Sequence, residues 1–338
     1  MKPSDSIPFR SMFRWMFILA ALILPQVVQA QTQWHATVGA QSKNMGHQAL
    51  AFLPNEIWIH TGDSITWTFN VDEIHTVTFL TSGQTRPFFF VGCPGFSPDG
   101  SASFDGSTCV TTSAFLPKGQ NFTITFPAAG NFKLVCLVHE NMTGVVHVLN
   151  SSEPLPHSQA FYDEQAEAER ENLLSDTDME GEDHDGHDSH HRHSPENQVT
   201  AGTGEVVATG GGSQSLSILR FLHPATVVHV NETIEWTNLD PATPHTITFG
   251  KEPGDVVSPF PLTMPLDADG ARHAVINSTT DRVHSGFIIA APQERTFLAQ
   301  SPLGVTRFRI TFKHAGTFPY ICALHDGLGM KGKVIVLP

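Results

Sequence analysis

Two short loops in this 338-residue chain each carry a cysteine, a histidine and a methionine. One runs from Cys322 through Ala323, Leu324, His325, Asp326, Gly327, Leu328 and Gly329 to Met330. The other runs from Cys136 through Leu137, Val138, His139, Glu140 and Asn141 to Met142. Each has a further histidine far upstream on a strand-like His-Thr-x-Thr-Phe segment, His245 for the first and His75 for the second. A thiolate, two imidazoles and a weak axial thioether form the ligand set of a mononuclear copper centre suited to electron transfer. The soft thiolate bonds covalently to copper, and imidazole suits both oxidation states. The long methionine bond lets Cu(I) and Cu(II) share one geometry. A lone Cys-x-x-His is a weak signal, since a buried free cysteine beside a chance histidine produces it too. Two copies, each with an upstream histidine and a downstream Met-x-Gly, are a strong one. The expected ligands are His75, Cys136, His139 and Met142 in one site and His245, Cys322, His325 and Met330 in the other, with one copper ion each.

The segments that must position these residues repeat. Phe52 to Trp67 and Phe221 to Trp236 span the same distance (67 − 52 = 236 − 221 = 15), and each leads to an upstream histidine. Phe122 to Cys136 and Phe308 to Cys322 also agree (136 − 122 = 322 − 308 = 14). The repeated units alternate apolar with polar residues, favour β-branched and aromatic types, and are punctuated by Gly, Pro, Asn and Asp. Neither half shows helical periodicity over three turns. The chain therefore reads as all-β, two Greek-key sandwiches in tandem. Trp67 and Trp236 are expected in the cores beneath the sites. His60, His229 and His147 are expected to face solvent or a neighbouring strand.

At this point the sequence resembles the cupredoxins, the plastocyanin and amicyanin type in particular, from about Trp34 to Asn150 and again from about Glu205 to Pro338. Cys322, His325 and Met330 match the spacing of plastocyanins, and Cys136, His139 and Met142 the shorter spacing of amicyanins. The resemblance implies that His139 and His325 reach the surface inside apolar patches where redox partner proteins dock. Leu137, Val138, Met142 and Gly144 would form one patch, and Ala323, Leu324, Gly327 and Leu328 the other. It also implies an electron carrier rather than an enzyme. Multicopper enzymes place a histidine directly beside the copper cysteine, where this chain has Leu137 and Ala323. The alternative is copper binding, storage or delivery; a nitrite reductase or two-domain oxidase fits the residues less well.

The rest of the chain sets the context. Lys2, Arg10 and Arg14, an apolar run from Phe17 to Val28, and Val28-Gln29-Ala30 read as a signal peptide over residues 1–30, and so as export to a periplasm or the exterior. An uncleaved anchor would need a longer apolar run. Cys93 and Cys109 lie in a Gly/Ser/Pro-rich stretch without histidine and read as a disulfide, in keeping with an oxidising compartment. The first domain would span 31–150 and the second 201–338. Residues 151–200 read as a disordered, acidic, histidine-rich linker. Between Asp163 and Glu196 thirteen acidic residues face only Arg170 and Arg192, which accounts for eleven of the fourteen net negative charges. His184, His187, His190, His191 and His193 of that stretch are candidates for loose metal collection. The overall charge of −14 argues against a nucleic-acid partner. A linker of this kind would tether the two sites without fixing their geometry, and their unequal loops imply unlike reduction potentials.

Overall fold

Alternation is the rule that builds most of the strands. In Glu56–His60 the inward residues are Ile57 and Ile59, in Asn121–Thr125 they are Phe122 and Ile124, and in Thr233–Leu239 they are Ile234, Trp236 and Asn238. The structure, a computed structural model, describes residues 31–338 apart from 90, 94, 97–99, 113–115, 176–196 and 291–302. The signal-peptide segment and the linker histidines His184 to His193 lie outside the described residues.

The first half contributes eleven strands: β1 (Gln33–Gln41), β2 (His47–Leu53), β3 (Glu56–His60), β4 (Ser64–Phe69), β5 (Thr78–Phe79), β6 (Gly95–Phe96), β7 (Ser101–Ser103), β8 (Val110–Thr111), β9 (Asn121–Thr125), β10 (Gly130–Val135) and β11 (Thr143–Leu149). A helix, α1 (Gln159–Ser175), follows. The second half contributes β12 (Gln198–Thr209), β13 (Gly212–Leu222), β14 (Ala225–His229), β15 (Thr233–Leu239), β16 (Thr248–Phe249), β17 (Arg272–Ile276), β18 (Val283–His284), β19 (Arg307–Phe312), β20 (Gly316–Ile321) and β21 (Lys331–Leu337).

Each half is a two-sheet sandwich with the same strand order. One sheet runs β2-β1-β4-β9-β7 in the first half and β13-β12-β15-β19-β17 in the second. The facing sheets run β3-β11-β10-β5-β8-β6 and β14-β21-β20-β16-β18. Separate cores fill the two sandwiches, one around Trp67, Phe79 and Phe126, the other around Trp236, Phe249 and Phe312. Trp67 and Trp236 are buried in those cores, as the repeat implied. Cys93 and Cys109 are joined in a disulfide that closes the Gly/Ser/Pro-rich stretch between the upstream histidine and the copper cysteine of the first half.

The two halves are not loosely tethered, contrary to the expectation from the linker. β2 and β13 pair antiparallel, so that one sheet from each sandwich merges into a single ten-stranded sheet. Gln48 pairs with Ser217, its own counterpart in the repeat (217 − 48 = 221 − 52 = 169), which gives the junction a local two-fold character. Backbone hydrogen bonding across the two domains fixes their geometry, which composition alone could not reveal.

Part of the connecting stretch is ordered. α1 lies over the ten-stranded sheet, with Leu173 buried against Ala40, Ala49, Ala51 and Leu53. The Tyr162 hydroxyl accepts a hydrogen bond from the Trp58 backbone N–H at 2.9 Å. Glu169 accepts from the Asn55 N–H and from the Gln214 side chain, each at 2.9 Å, so the helix touches both halves. The helix covers one face of β2 and the sandwich core covers the other. That is why His47–Leu53 is apolar almost throughout instead of alternating. Among the described residues no helix is long and apolar enough to cross a membrane.

Candidate metal centres

Each site is assembled from the same three pieces. Cys136 stands just past the end of β10, and His139 and Met142 lie in the turn that leads to β11. Cys322 stands just past β20, with His325 and Met330 in the turn before β21. The turns are closed by the cysteine N–H donating to the methionine carbonyl, at 3.0 Å from Cys136 to Met142 and 3.1 Å from Cys322 to Met330. The upstream histidines stand just before β5 and β16, the strands that pair directly with β10 and β20.

Three donor atoms converge in each site. His139 Nδ1 lies 3.7 Å from Cys136 Sγ and 3.1 Å from His75 Nδ1, and His75 Nδ1 lies 4.0 Å from the sulfur. In the second site His325 Nδ1 is 3.3 Å from Cys322 Sγ and 3.2 Å from His245 Nδ1, which is 3.9 Å from the sulfur. All six residues are buried. Buried imidazoles and a thiol facing inward without another task are what a soft, nitrogen- and sulfur-binding metal requires. Met142 and Met330 are fully buried beside them, in the same apolar clusters as the cysteines.

The electrostatics prepare the thiols for a cation. Burial alone would push Cys136 and Cys322 up, but the adjacent imidazoles outweigh it and hold both thiols well below the usual range. Burial alone would lower His139, yet Cys136 and Glu73 push it up to about 9. His325 is raised in the same way by Cys322 and Glu73, against its own burial.

The model of a family described as copper binding proteins, plastocyanin/azurin family, matches residues 39–149 and again 205–337. The chain belongs to that family. Both sites therefore take copper, one ion per domain, and His75, Cys136, His139 and His245, Cys322, His325 are the residues whose donor atoms meet. Among solved structures, the chain is similar to a mutant fern plastocyanin, with 20% identity over 41% of this chain and 99% of that one and a TM-score of 0.22. It is similar to the oxidized plastocyanin of Dryopteris crassirhizoma at 19% identity, over 41% of this chain and 99% of that one, with a TM-score of 0.21. It is similar to the amicyanin of Paracoccus versutus at 19% identity, over 36% and 86% of the two chains, with a TM-score of 0.24. No curated protein matches the chain.

One expectation from the cupredoxin resemblance fails. His139 and His325 do not reach the surface; they are 0% and 3% exposed. Leu137, Val138, Met142 and Leu328 are buried as well, because the two copper ends face each other across the junction of the domains. Among the described residues only the second loop keeps an open side, where Ala323 and Leu324 are half-buried and Gly327 is exposed. Of the other histidines, His147 stacks on Trp58 and contacts Glu56 at 2.9 Å, while His229 is exposed beside Glu232. His60 contacts the Glu153 carbonyl at 2.7 Å.

Several residues that build the cupredoxin sites were not singled out from sequence. Thr76 and Thr246 each donate a backbone N–H to the copper cysteine, at 3.4 Å in both sites. Their hydroxyls accept the N–H of the residue after that cysteine, Leu137 or Ala323, at 2.7 Å. The repeated His-Thr-x-Thr-Phe was the available signal. Gly39 and Gly202 occupy equivalent bulges in β1 and β12 at φ +69° and +77°, under the upstream histidines. A Cβ at Gly202 would sit 2.0 Å from His245 Nε2 and one at Gly39 would sit 2.8 Å from His75 Nε2. Glu73, buried between the domains, lies 3.3 Å from His139 Nε2 and 3.6 Å from His325 Nε2. A single glutamate two residues before His75 gave no signal of that position.

Proposed function

We propose that the chain is an exported blue copper protein that transfers electrons through two type 1 centres. The convergence of a thiol and two imidazole Nδ1 atoms inside each apolar core carries this reading. Cupredoxins of the plastocyanin and amicyanin kind are electron carriers, and Met142 and Met330, buried in the same clusters as their cysteines, would add a weak thioether donor to each site. Copper bound here supplies a one-electron couple. The residues hold its ligands rigid, so that little rearranges when the electron moves.

Several features support a carrier over an enzyme. Leu137 and Ala323 stand where a multicopper enzyme bridges from its blue centre with histidine. Residues 1–30, read as a signal peptide, and the Cys93–Cys109 disulfide favour an oxidising compartment outside the cytoplasm. Redox partner proteins would approach the open side of the second loop, at Ala323, Leu324 and Gly327. Copper storage or delivery is the alternative, and rests on the histidines His184 to His193.

The test is copper per chain with the visible and EPR spectra of mature protein, residues 31–338, loaded with Cu(II). Two coppers and intense thiolate-to-copper absorption support the reading. A colourless protein with type 2 signals overturns it in favour of copper handling.

A further inference from the structure

Glu73 lies where the two copper ends meet. Each loop histidine uses Nδ1 toward its own cysteine, which leaves Nε2 pointing outward from its site. The two Nε2 atoms find the same carboxylate: His139 meets Glu73 Oε1 at 3.3 Å, and His325 meets Glu73 Oε2 at 3.6 Å. The carboxylate is 6% exposed. Burying a carboxylate costs several kcal/mol unless charged or hydrogen-bonding partners surround it. Here the two imidazole Nε2 atoms supply those partners, one to each carboxylate oxygen. The neighbouring acid does not share the task, because Asp72 turns away to Lys118 at 2.9 Å and Gln41 at 2.7 Å. Neither centre needs Glu73 for its own ligands, and the residue reaches its second partner only because β2 and β13 join the domains.

We propose that Glu73 couples the two copper centres into one electron-sharing pair, along Cys136 and His139, the Glu73 carboxylate, and His325 and Cys322. The proposal rests on the electron-transfer reading and deepens it. An electron delivered to one centre passes inside the chain to the other. One Cu(I) becomes Cu(II) and one Cu(II) becomes Cu(I), with no bond made or broken and the Nε2 protons left in place. The chain then acts as a two-electron unit with one open entrance, at the second loop.

The experiment uses the full mature protein loaded with Cu(II) and mixed with less than one equivalent of dithionite. Freeze-quenched EPR follows which centre is reduced as the electron redistributes, at several protein concentrations. The expected result is a redistribution rate independent of protein concentration, lost in Glu73→Leu although both centres keep their spectra. Glu73→Gln, which keeps the shape and loses the charge, is expected to raise both reduction potentials together. A purely structural residue would not produce that paired shift. Redistribution that scales with protein concentration, or that is unchanged in Glu73→Leu, overturns the coupling. Should Glu73→Leu fail to fold, unshifted potentials in Glu73→Gln overturn it instead. Failure of the underlying reading is distinct, because then no thiolate-to-copper absorption is seen in the parent protein.

Discussion

Asp240 Oδ2 lies 3.5 Å from His245 Nε2, both groups fully buried, whereas His75 in the other domain has no carboxylate at ion-pair distance among the described residues. The Asp240 carboxylate is held in place by its other oxygen, which accepts from the Ala242 and Thr243 N–H groups at 2.9 Å and the Ser217 hydroxyl at 3.0 Å. Beside His75 the corresponding space holds Val71, whose Cγ2 lies as near a Cβ built on Gly39 as His75 Nε2 does. The consequence is visible in the imidazoles. Burial lowers His75; it would lower His245 too, but Asp240 and Cys322 raise that ring. A carboxylate on the far nitrogen makes an imidazole a more basic ligand and favours the higher metal charge.

Asp240→Asn is therefore expected to raise the reduction potential of the second centre and weaken its copper affinity by about 10–100-fold. The first centre should keep its potential. Redox titration followed by EPR separates the two, and an equal shift at both centres would show that the asymmetry lies elsewhere.

Gly202 makes a second site-specific prediction. An alanine there would place Cβ 2.0 Å from His245 Nε2, and its φ of +77° is strained for any side chain. Gly202→Ala is expected to displace the His245 ring and abolish the second centre's thiolate-to-copper band, with the first left intact. Gly39→Ala, at 2.8 Å from His75 Nε2, is expected to perturb the first centre less severely. Copper counts and visible spectra of the two variants measure the difference.

What could be read beforehand divides along physical lines. The alternating Phe-x-Ile-x-Phe units reveal the sandwiches and the Cys-x-x-His spacing reveals the loop donors because both are local in sequence, while the distant His75 and His245 are marked only by the repeat. Glu73 and Asp240 became functional through contacts across a loop or a domain boundary, and no spacing encodes such contacts. α1 escaped notice for another reason. Its residues, Ala, Glu, Gln, Arg and Leu, favour helix, but with only Tyr162 and Leu173 buried it shows no amphipathic stripe. Acidic composition alone suggested disorder there. The docking of the copper ends followed from β2 and β13, whose apolar runs were legible while their pairing was not.

Leu324 tests the entrance. It is half-buried beside the exposed Gly327, on the only copper loop that keeps an open side among the described residues. Replacing it with glutamate puts a charge into an apolar rim of the kind that transient redox contacts use. Electron exchange with an external cupredoxin partner is expected to slow markedly while both visible bands stay unchanged. The same substitution at Val138, which is buried, is expected to damage folding instead. Unchanged exchange in Leu324→Glu would move the docking surface away from the second loop.

Arg220 tests the junction. Its guanidinium donates to the Leu328 carbonyl of the second copper loop at 2.8 Å and to the Asn44 carbonyl in the β1–β2 turn at 2.6 Å. Hydrogen bonds from a charged donor contribute about 1.5–3 kcal/mol each when buried. This side chain is only partly buried, so Arg220→Ala is expected to cost about 2 kcal/mol of stability. Urea unfolding read by the copper bands should show the second centre bleaching earlier than in the parent.

Separating the domains should expose the edge that β2 and β13 now cover. An open edge strand offers unpaired N–H and C=O groups to any other strand. The register is already suited to self-pairing, since Gln48 faces its own repeat counterpart, Ser217, at the centre of the antiparallel contact. A fragment covering residues 31–175 would place Gln48 opposite Gln48 of a second copy, with α1 still covering the outer face of β2. Such an isologous contact closes on itself as a dimer and does not propagate. The fragment is therefore expected to elute as a dimer in size-exclusion chromatography with light scattering. Leu50→Lys would be a poor probe, because Leu50 faces the sandwich core. Gln48→Pro is the better one, because Gln48 is a hydrogen-bonded partner of β13 in the antiparallel ladder. It removes a ladder N–H and should render any soluble fragment monomeric. A fragment that is monomeric without that substitution would show that the pairing depends on the Arg220 contacts and the Glu73 bridge, and not on the strands themselves.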